Sequence, residues 1–201
     1  MPKGFLLIIS APSGAGKSTV CRRLRRRDPS LGYSVSCTTR EPRRGEVDGR
    51  HYRFLRVAEF RRLLRKREFL EWANVHGNYY GTPRGPIDKA VAAGRVVLAD
   101  IDVQGAEQVR RRLRENVAVF LFPPSWRTLE RRLLRRRDTD RATIERRMLN
   151  ARREMRAAPR YDYWVVNDRL PDAVRRIESV IAAERLRAGR RSAPNGFLKR
   201  R

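Results

Sequence analysis

The sequence predicts an α/β protein with a parallel core sheet flanked by helices, for two reasons. Short runs rich in Val, Ile and Leu alternate with helical stripes along most of the chain, as in strands buried on both faces. The first of these runs passes through a glycine-rich turn directly into a helix.

Residues 4–10 (GFLLIIS) read as a buried strand, and a helix runs from about Gly16 to Arg27. Residues 33–37 (YSVSC) form a second short strand. A polar stretch over 40–50 leads to HYRFL, an alternating strand at 51–55. Val57, Phe60, Leu63 and Leu64 make the apolar stripe of a helix over 57–67. FLEWANV and NYYG are strands around the turn His76-Gly77-Asn78, and 84–93 is a helix stopped by Gly94. RVVLADI (95–101) is a central strand, followed by a helix over about 103–114 and the strand VAVFLF (117–122), which ends at Pro123-Pro124. Helices over about 125–136 and 141–157 flank a charged break. DYWVV (162–166) is the last strand and 171–188 the last helix.

Two excursions interrupt this alternation. A mostly β region covers 34–83 and a helical one covers 127–156, leaving 1–33, 84–126 and 157–188 as the core. The basic tail, 189–201, has little to bury and is expected to be disordered.

The chain has 201 residues, 40% of them hydrophobic, enough for one sizeable core and short for two. Its apolar runs are strand-sized, below the roughly 20 residues of a spanning helix, and its N-terminus lacks the apolar length of a secretory signal. Cys21 and Cys37 read as reduced, buried thiols of a cytoplasmic protein. Lys and Arg number 48 against 22 Asp and Glu, a net charge of +26, and only five of the 48 are Lys. Such a charge suits nucleic acid or a substrate with several phosphates. The arginines lie mostly in helical stretches without interleaved aromatics, as on solvated faces, so only weak non-specific adhesion to nucleic acid is expected.

Ala11-Pro12-Ser13-Gly14-Ala15-Gly16-Lys17-Ser18-Thr19 carries the phosphate-loop pattern, with Ala in place of the usual first Gly. Glycines let backbone N–H groups turn inward onto phosphate oxygens, and the following helix N-terminus adds partial positive charge. Lys17 reaches the β and γ phosphates, and the Ser18 hydroxyl ligands Mg²⁺. The nucleotide is therefore a triphosphate. The loop does not identify the acceptor.

The residues that follow bear on the acceptor. Ser36-Cys37-Thr38-Thr39-Arg40, Arg43, Gly45-Glu46, Gly49 and Tyr52 resemble the guanylate kinase family. So do Glu71-Trp72-Ala73, Gly77-Asn78-Tyr79-Tyr80-Gly81-Thr82 and Asp100-Ile101-Asp102-Val103-Gln104-Gly105. With the phosphate loop, an arginine-bearing lid and Val166-Asn167-Asp168, the resemblance covers about 1 to 188. It implies the P-loop nucleoside monophosphate kinase fold, with a GMP-binding insertion over 34–83 and a lid over 127–156. It also implies Mg²⁺-dependent transfer of the γ-phosphoryl group of ATP to GMP, and to dGMP.

The resemblance gives Arg40, Arg43, Tyr52 and Tyr80 to the GMP phosphate, and Ser36, Glu71 and Thr82 to the base. Chemistry agrees. Two arginines three apart suit a dianionic phosphate. Guanine presents N1–H and a 2-amino group beside the O6 acceptor. A carboxylate accepts from both donors, whereas adenine would face it unpaired. The resemblance sets Asp100 beside Mg²⁺ through water and Asp102 beside the acceptor nucleotide; a helix cap is a second role open to Asp102. It gives Arg136 and Arg147 to the transferring phosphoryl group, with Arg132 a further lid arginine. The family usually has Gly where this chain has Arg135 and Arg137. Asn167 and Asp168 are assigned to ATP, with Asn167 at the adenine, although a structural cap fits that pair equally well.

Other readings fit less well. A catalytically inactive scaffold of the same fold typically lacks an intact phosphate loop. A kinase acting on a phosphorylated sugar should lack Ser36, Glu71 and Thr82. His51 and His76 have no partners at metal-ligand spacing, and the cysteines lack CxxC spacing.

Overall fold

The computed structural model describes residues 3–75, 77–135 and 141–190, with Arg141 and Ala142 described by backbone alone. Strand β1 (Phe5–Ser10) enters α1 (Lys17–Arg27), and β2 (Gly32–Tyr33) follows. Then come β3 (Cys37–Thr38), β4 (Arg53–Phe54), α2 (Val57–Arg65), β5 (Phe69–Val75) and β6 (Asn78–Pro83). The chain continues through α3 (Arg84–Ala92), β7 (Val96–Asp100), α4 (Val103–Arg112) and β8 (Asn116–Phe122). It ends with α5 (Trp126–Leu134), α6 (Arg141–Met155), β9 (Tyr163–Val166) and α7 (Leu170–Leu186).

The core sheet has the order β2-β7-β1-β8-β9, and every pairing in it is parallel. Alternation along β1 explains its two-sided burial. Phe5, Leu7 and Ile9 pack with Val20 and Leu24 of α1 and Val174 and Ile177 of α7. Leu6 and Ile8 face Ile87 of α3 and Ala106 and Val109 of α4. Each fully buried aliphatic side chain of this kind contributes about 1.5–3 kcal/mol.

The insertion forms its own sheet, β4-β3-β6-β5, with β3–β4 parallel and both β3–β6 and β5–β6 antiparallel. Phe60 of α2 packs with Cys37, Leu55 and Phe69 beneath it. The single strand expected over 33–37 is divided. Tyr33 pairs with Leu98 in the core sheet, while Cys37 pairs with Arg53 and Gly81 in the second sheet. Ser34 N still donates to Leu98 O at 2.9 Å, and Arg53 N donates to Ser36 O at 2.9 Å, so the change of sheet falls across Ser34–Ser36. Local alternation is the same on both sides of this crossing; only the distant partners differ.

The first residues of the tail expected to be disordered over 189–201 are placed in the fold. Arg190 is buried over the Phe5 ring, 4.6 Å from its centroid, and its Nε donates to Glu184 Oε2 at 3.2 Å. The rest of that tail, 191–201, lies outside the described residues. Both cysteines are unpaired and buried. Burial pushes the Cys37 thiol up to about 11 and raises that of Cys21 further, so both stay protonated. Among the described residues no helix is long and apolar enough to cross a membrane.

Candidate active site

Ligands of open α/β sheets bind beyond the carboxyl ends of the strands, and the singled-out residues of the core gather there. Strand β1 runs into the phosphate loop, and Ile9 pairs with Asp100 at the end of β7. Gly14 and Gly16 have φ of +91° and +95°, the left-handed region that a Cβ disfavours. Ala11, in the usual Gly position, lies outside that region, so its methyl group is accommodated. Gly16 is the N-cap of α1, and Lys17, Ser18 and Thr19 form its first turn. Lys17 Nζ lies 2.7 Å from Asp100 Oδ1 and donates to Ile101 O at 2.8 Å. Ser13, Ser18 and Thr19 are exposed at the mouth of the loop, while Pro12 and Ala15 are buried.

The loop is braced from behind. Asn167, 5% exposed, donates from Nδ2 to Ala15 O at 2.7 Å. Arg132 donates to Ala15 O and Asn167 O, each at 3.2 Å. Asn167 thus directs its amide to the loop carbonyl, the structural reading of that residue, and Arg132 of α5 ties the lid side to the loop. Asp168 is exposed and paired with Arg176 at 3.1 Å. A Cβ on Gly16 would stand 2.5 Å from Asn167 Nδ2. Gly16→Ala is therefore expected to raise the ATP dissociation constant at least about tenfold, through both backbone strain and displacement of Asn167. GMP binding should be unchanged, and calorimetric titration of each nucleotide checks both statements.

In the insertion a polar chain is buried at Glu71 and Thr82 and half-buried at Ser36. Glu71 on β5 and Thr82 on β6 are register partners. Thr82, fully buried, donates to Glu71 Oε1 at 2.5 Å, and Ser36 Oγ lies 3.5 Å from Thr82 Oγ1. Burial, with Asp102 nearby, pushes the Glu71 carboxyl up to about 6 against the opposing Thr82 hydroxyl. Asp102 is exposed and caps α4, its Oδ1 accepting from Gly105 N at 2.8 Å. The cap reading therefore holds for Asp102.

Arg40, Tyr52 and Tyr80 come together. The Tyr52 and Tyr80 rings meet edge to face at 6.0 Å, and the Arg40 guanidinium lies 5.6 Å from the Tyr52 centroid and against the Tyr80 hydroxyl. Arg40 Nη2 is held by Glu46 Oε1 at 2.9 Å. Arg43 is exposed, and Glu46 Oε2 accepts from its backbone N–H at 2.7 Å. Glu46 holds both positions, a role that the spacing of the arginines does not reveal.

A family profile described as guanylate kinase matches residues 3–184. The guanylate kinase of Carboxydothermus hydrogenoformans is 48% identical over 94% of this chain and 93% of its own length. That of Paramagnetospirillum magneticum is 48% identical over 98% of this chain and 92% of its own. The crystal structure of guanylate kinase from Anaplasma phagocytophilum superposes with a TM-score of 0.77 at 34% identity, covering 94% of this chain and 90% of that one. The chain belongs to the guanylate kinase family.

In this guanylate kinase family member, the 127–156 region expected to be a lid lies partly outside the described residues, and Arg136 with it. Arg147 is half-buried on α6. Glu154 lies seven residues further, two turns along the same face. Burial and Asp102 raise its carboxyl, while the Ser13 backbone N–H and Lys17 oppose that rise.

Proposed function

We infer that the protein is an ATP:GMP phosphotransferase, forming ADP and GDP. The observation that carries this reading is the Ser36–Thr82–Glu71 chain, half-buried at Ser36 and buried at Thr82 and Glu71, which supports a base-reading carboxylate in a chain that also carries a phosphate loop. The triphosphate lies along the backbone N–H groups of the loop, with Lys17 on the β and γ phosphates. Glu71 accepts from guanine N1–H and the 2-amino group, and Asp102 stands at the mouth of the same site. Thr82 has its proton on Glu71, so Ser36 is the hydroxyl able to turn toward O6. Arg40, Tyr52 and Tyr80 hold the GMP phosphate, with Arg43 closing from solvent.

A GMP phosphate oxygen attacks the γ phosphorus in line, and the bond from that phosphorus to the bridging oxygen of ADP breaks. The attacking oxygen is already an anion, so positioning and charge stabilisation supply the catalysis. Arg136 and Arg147 meet the charge on the equatorial oxygens, and closure of the insertion and lid excludes water. Asn167 and Arg132 serve ATP indirectly, by fixing Ala15. Nothing in this reaction discriminates against dGMP.

The donor set fits magnesium that arrives with ATP. Ser18 offers a hydroxyl, and Asp100 offers one carboxylate through water. No group of three or more His, Cys, Asp or Glu among the described residues could hold a metal alone. Magnesium typically takes one or two protein ligands together with phosphates and water. When bound it withdraws charge from the phosphoryl oxygens. The reduced, buried thiols support a cytoplasmic location, and the +26 charge supports weak, salt-sensitive adhesion to nucleic acid.

The test is ADP formation from MgATP with GMP, dGMP, AMP, CMP or UMP at moderate salt. Strong turnover with the two guanine nucleotides alone is expected. Equal turnover with AMP, or none with any acceptor while GMP still binds, overturns the reading.

A further inference from the structure

β5 is the outer strand of the insertion sheet, so one edge of its backbone has no strand neighbour there. Side chains of α4 occupy that edge. Gln108 uses both ends of its amide on one residue: Oε1 accepts from Trp72 N at 3.3 Å, and Nε2 donates to Trp72 O at 3.1 Å. One turn further, Arg112 Nη1 donates to Leu70 O at 3.0 Å and to Phe69 O at 3.3 Å. Glu71 stands between these two anchors. One turn before Gln108, Gly105 leaves room for the carboxylate, since a Cβ there would lie 3.1 Å from Glu71 Oε2. Residues 105, 108 and 112 share one face of α4 by their three- and four-residue spacing, and Asp102 caps the same helix.

We propose that Gln108 is a positioning residue for guanine selection, acting as a one-residue substitute for a neighbouring strand that fixes the backbone of Glu71 relative to Asp102. A primary carboxamide presents the donor and acceptor that a peptide group would present at that edge. Glu at this position keeps the acceptor and loses the donor; Met keeps the volume and loses both. The proposal rests on the reading of Glu71 as the base-reading carboxylate.

The sensitive reporter is the guanine 2-amino group. A carboxylate must lie close to the base plane to accept from N1–H and the 2-amino group together, because hydrogen bonds weaken steeply with angle. IMP lacks the 2-amino group, so a displaced Glu71 loses its preference for GMP over IMP. Gln108→Met is expected to raise KM for GMP about tenfold and to lower the GMP-over-IMP ratio of kcat/KM by a similar factor, the effect of losing one or two ordinary hydrogen bonds. KM for ATP should stay within about twofold, because the phosphate loop is untouched. Gln108→Glu should move the same ratio in the same direction by less.

A purely packing role would lower the thermal midpoint and the active fraction without moving the ratio. The experiment measures kcat and KM for GMP and IMP in wild type, Gln108→Met, Gln108→Glu and Glu71→Gln, with Trp72 amide exchange by NMR as a readout independent of turnover. Exchange should accelerate in Gln108→Met and less in Gln108→Glu. If Glu71→Gln collapses the ratio while both Gln108 variants retain it, the positioning role is wrong and the Glu71 reading stands. If Glu71→Gln also retains the ratio, the base-reading assignment itself is wrong. Should Gln108→Met not fold, Gln108→Glu decides by the same two readouts.

Discussion

Lys17→Met is expected to lower kcat for GMP phosphorylation at least about thousandfold, the upper range for loss of one preorganised charge at a developing oxyanion. Lys17 is the first residue of α1, held between Asp100 Oδ1 at 2.7 Å and Ile101 O at 2.8 Å. Two partners thus fix its ammonium at the loop, so little reorganisation is needed when charge builds on the phosphoryl oxygens. Met keeps the length of the stem and removes only the charge. The fold should survive, because the loop's own bracing comes from Asn167 and Arg132. Steady-state kinetics beside a thermal melt separates the two effects. A variant that keeps a tenth of wild-type kcat would remove Lys17 from the phosphoryl-transfer machinery.

Glu71→Gln is expected to lower kcat/KM for GMP at least about a hundredfold and to raise turnover of AMP, since the carboxylate and adenine N1 are both acceptors and leave each other unpaired. The amide retains one acceptor, but its N–H₂ then faces a guanine donor; toward adenine N1 the same N–H₂ becomes a partner. The pH profile follows from the same geometry. Glu71 is 8% exposed and its carboxyl is pushed up to about 6, chiefly by burial. Accepting from two guanine donors requires the ionised form, so kcat/KM for GMP should fall as pH drops through about 6 and level off above it. The limb should vanish in Glu71→Gln. A profile flat down to pH 5 in wild type would contradict the assignment.

The parallel core was legible because its strands are buried on both faces and therefore read as continuous apolar runs. β1, β7 and β8 fall within a residue or two of where the pattern sets them. The phosphate loop was legible for a similar reason. Its glycines, Lys17 and Ser18 are neighbours in the chain, and their conformation is set largely by local backbone freedom. Burial of Cys21 and Cys37 followed from the free thiol's character as a small hydrophobe.

The acceptor side is different. Glu71 and Thr82 come from two strands and Ser36 from the crossing that precedes β3, and Glu46 reaches Arg40 across a loop. Nothing in the separation of these residues along the chain states their distances. The 33–37 run divides between two sheets because pairing with Leu98 on one side and Gly81 on the other is a long-range choice. Asn167 and Asp102, whose cap reading was open alongside a ligand role, are seen to brace the loop and cap α4 because of which carbonyls and N–H groups stand near them. Arg190 is buried although it stands in a basic, polar tail, because Glu184 and the Phe5 ring receive it.

By itself, then, the sequence determined the parallel α/β class and the phosphate loop, and resemblance to the guanylate kinase family supplied the residues expected at a guanine nucleotide. The first two depend on local periodicity and on backbone freedom. Only the tertiary structure decided which carboxylate is buried, which arginine is held by Glu46 and which face of α4 grips β5. Those outcomes depend on desolvation and on hydrogen-bond partners tens of residues away, which the fold alone brings within 3 Å or so of one another.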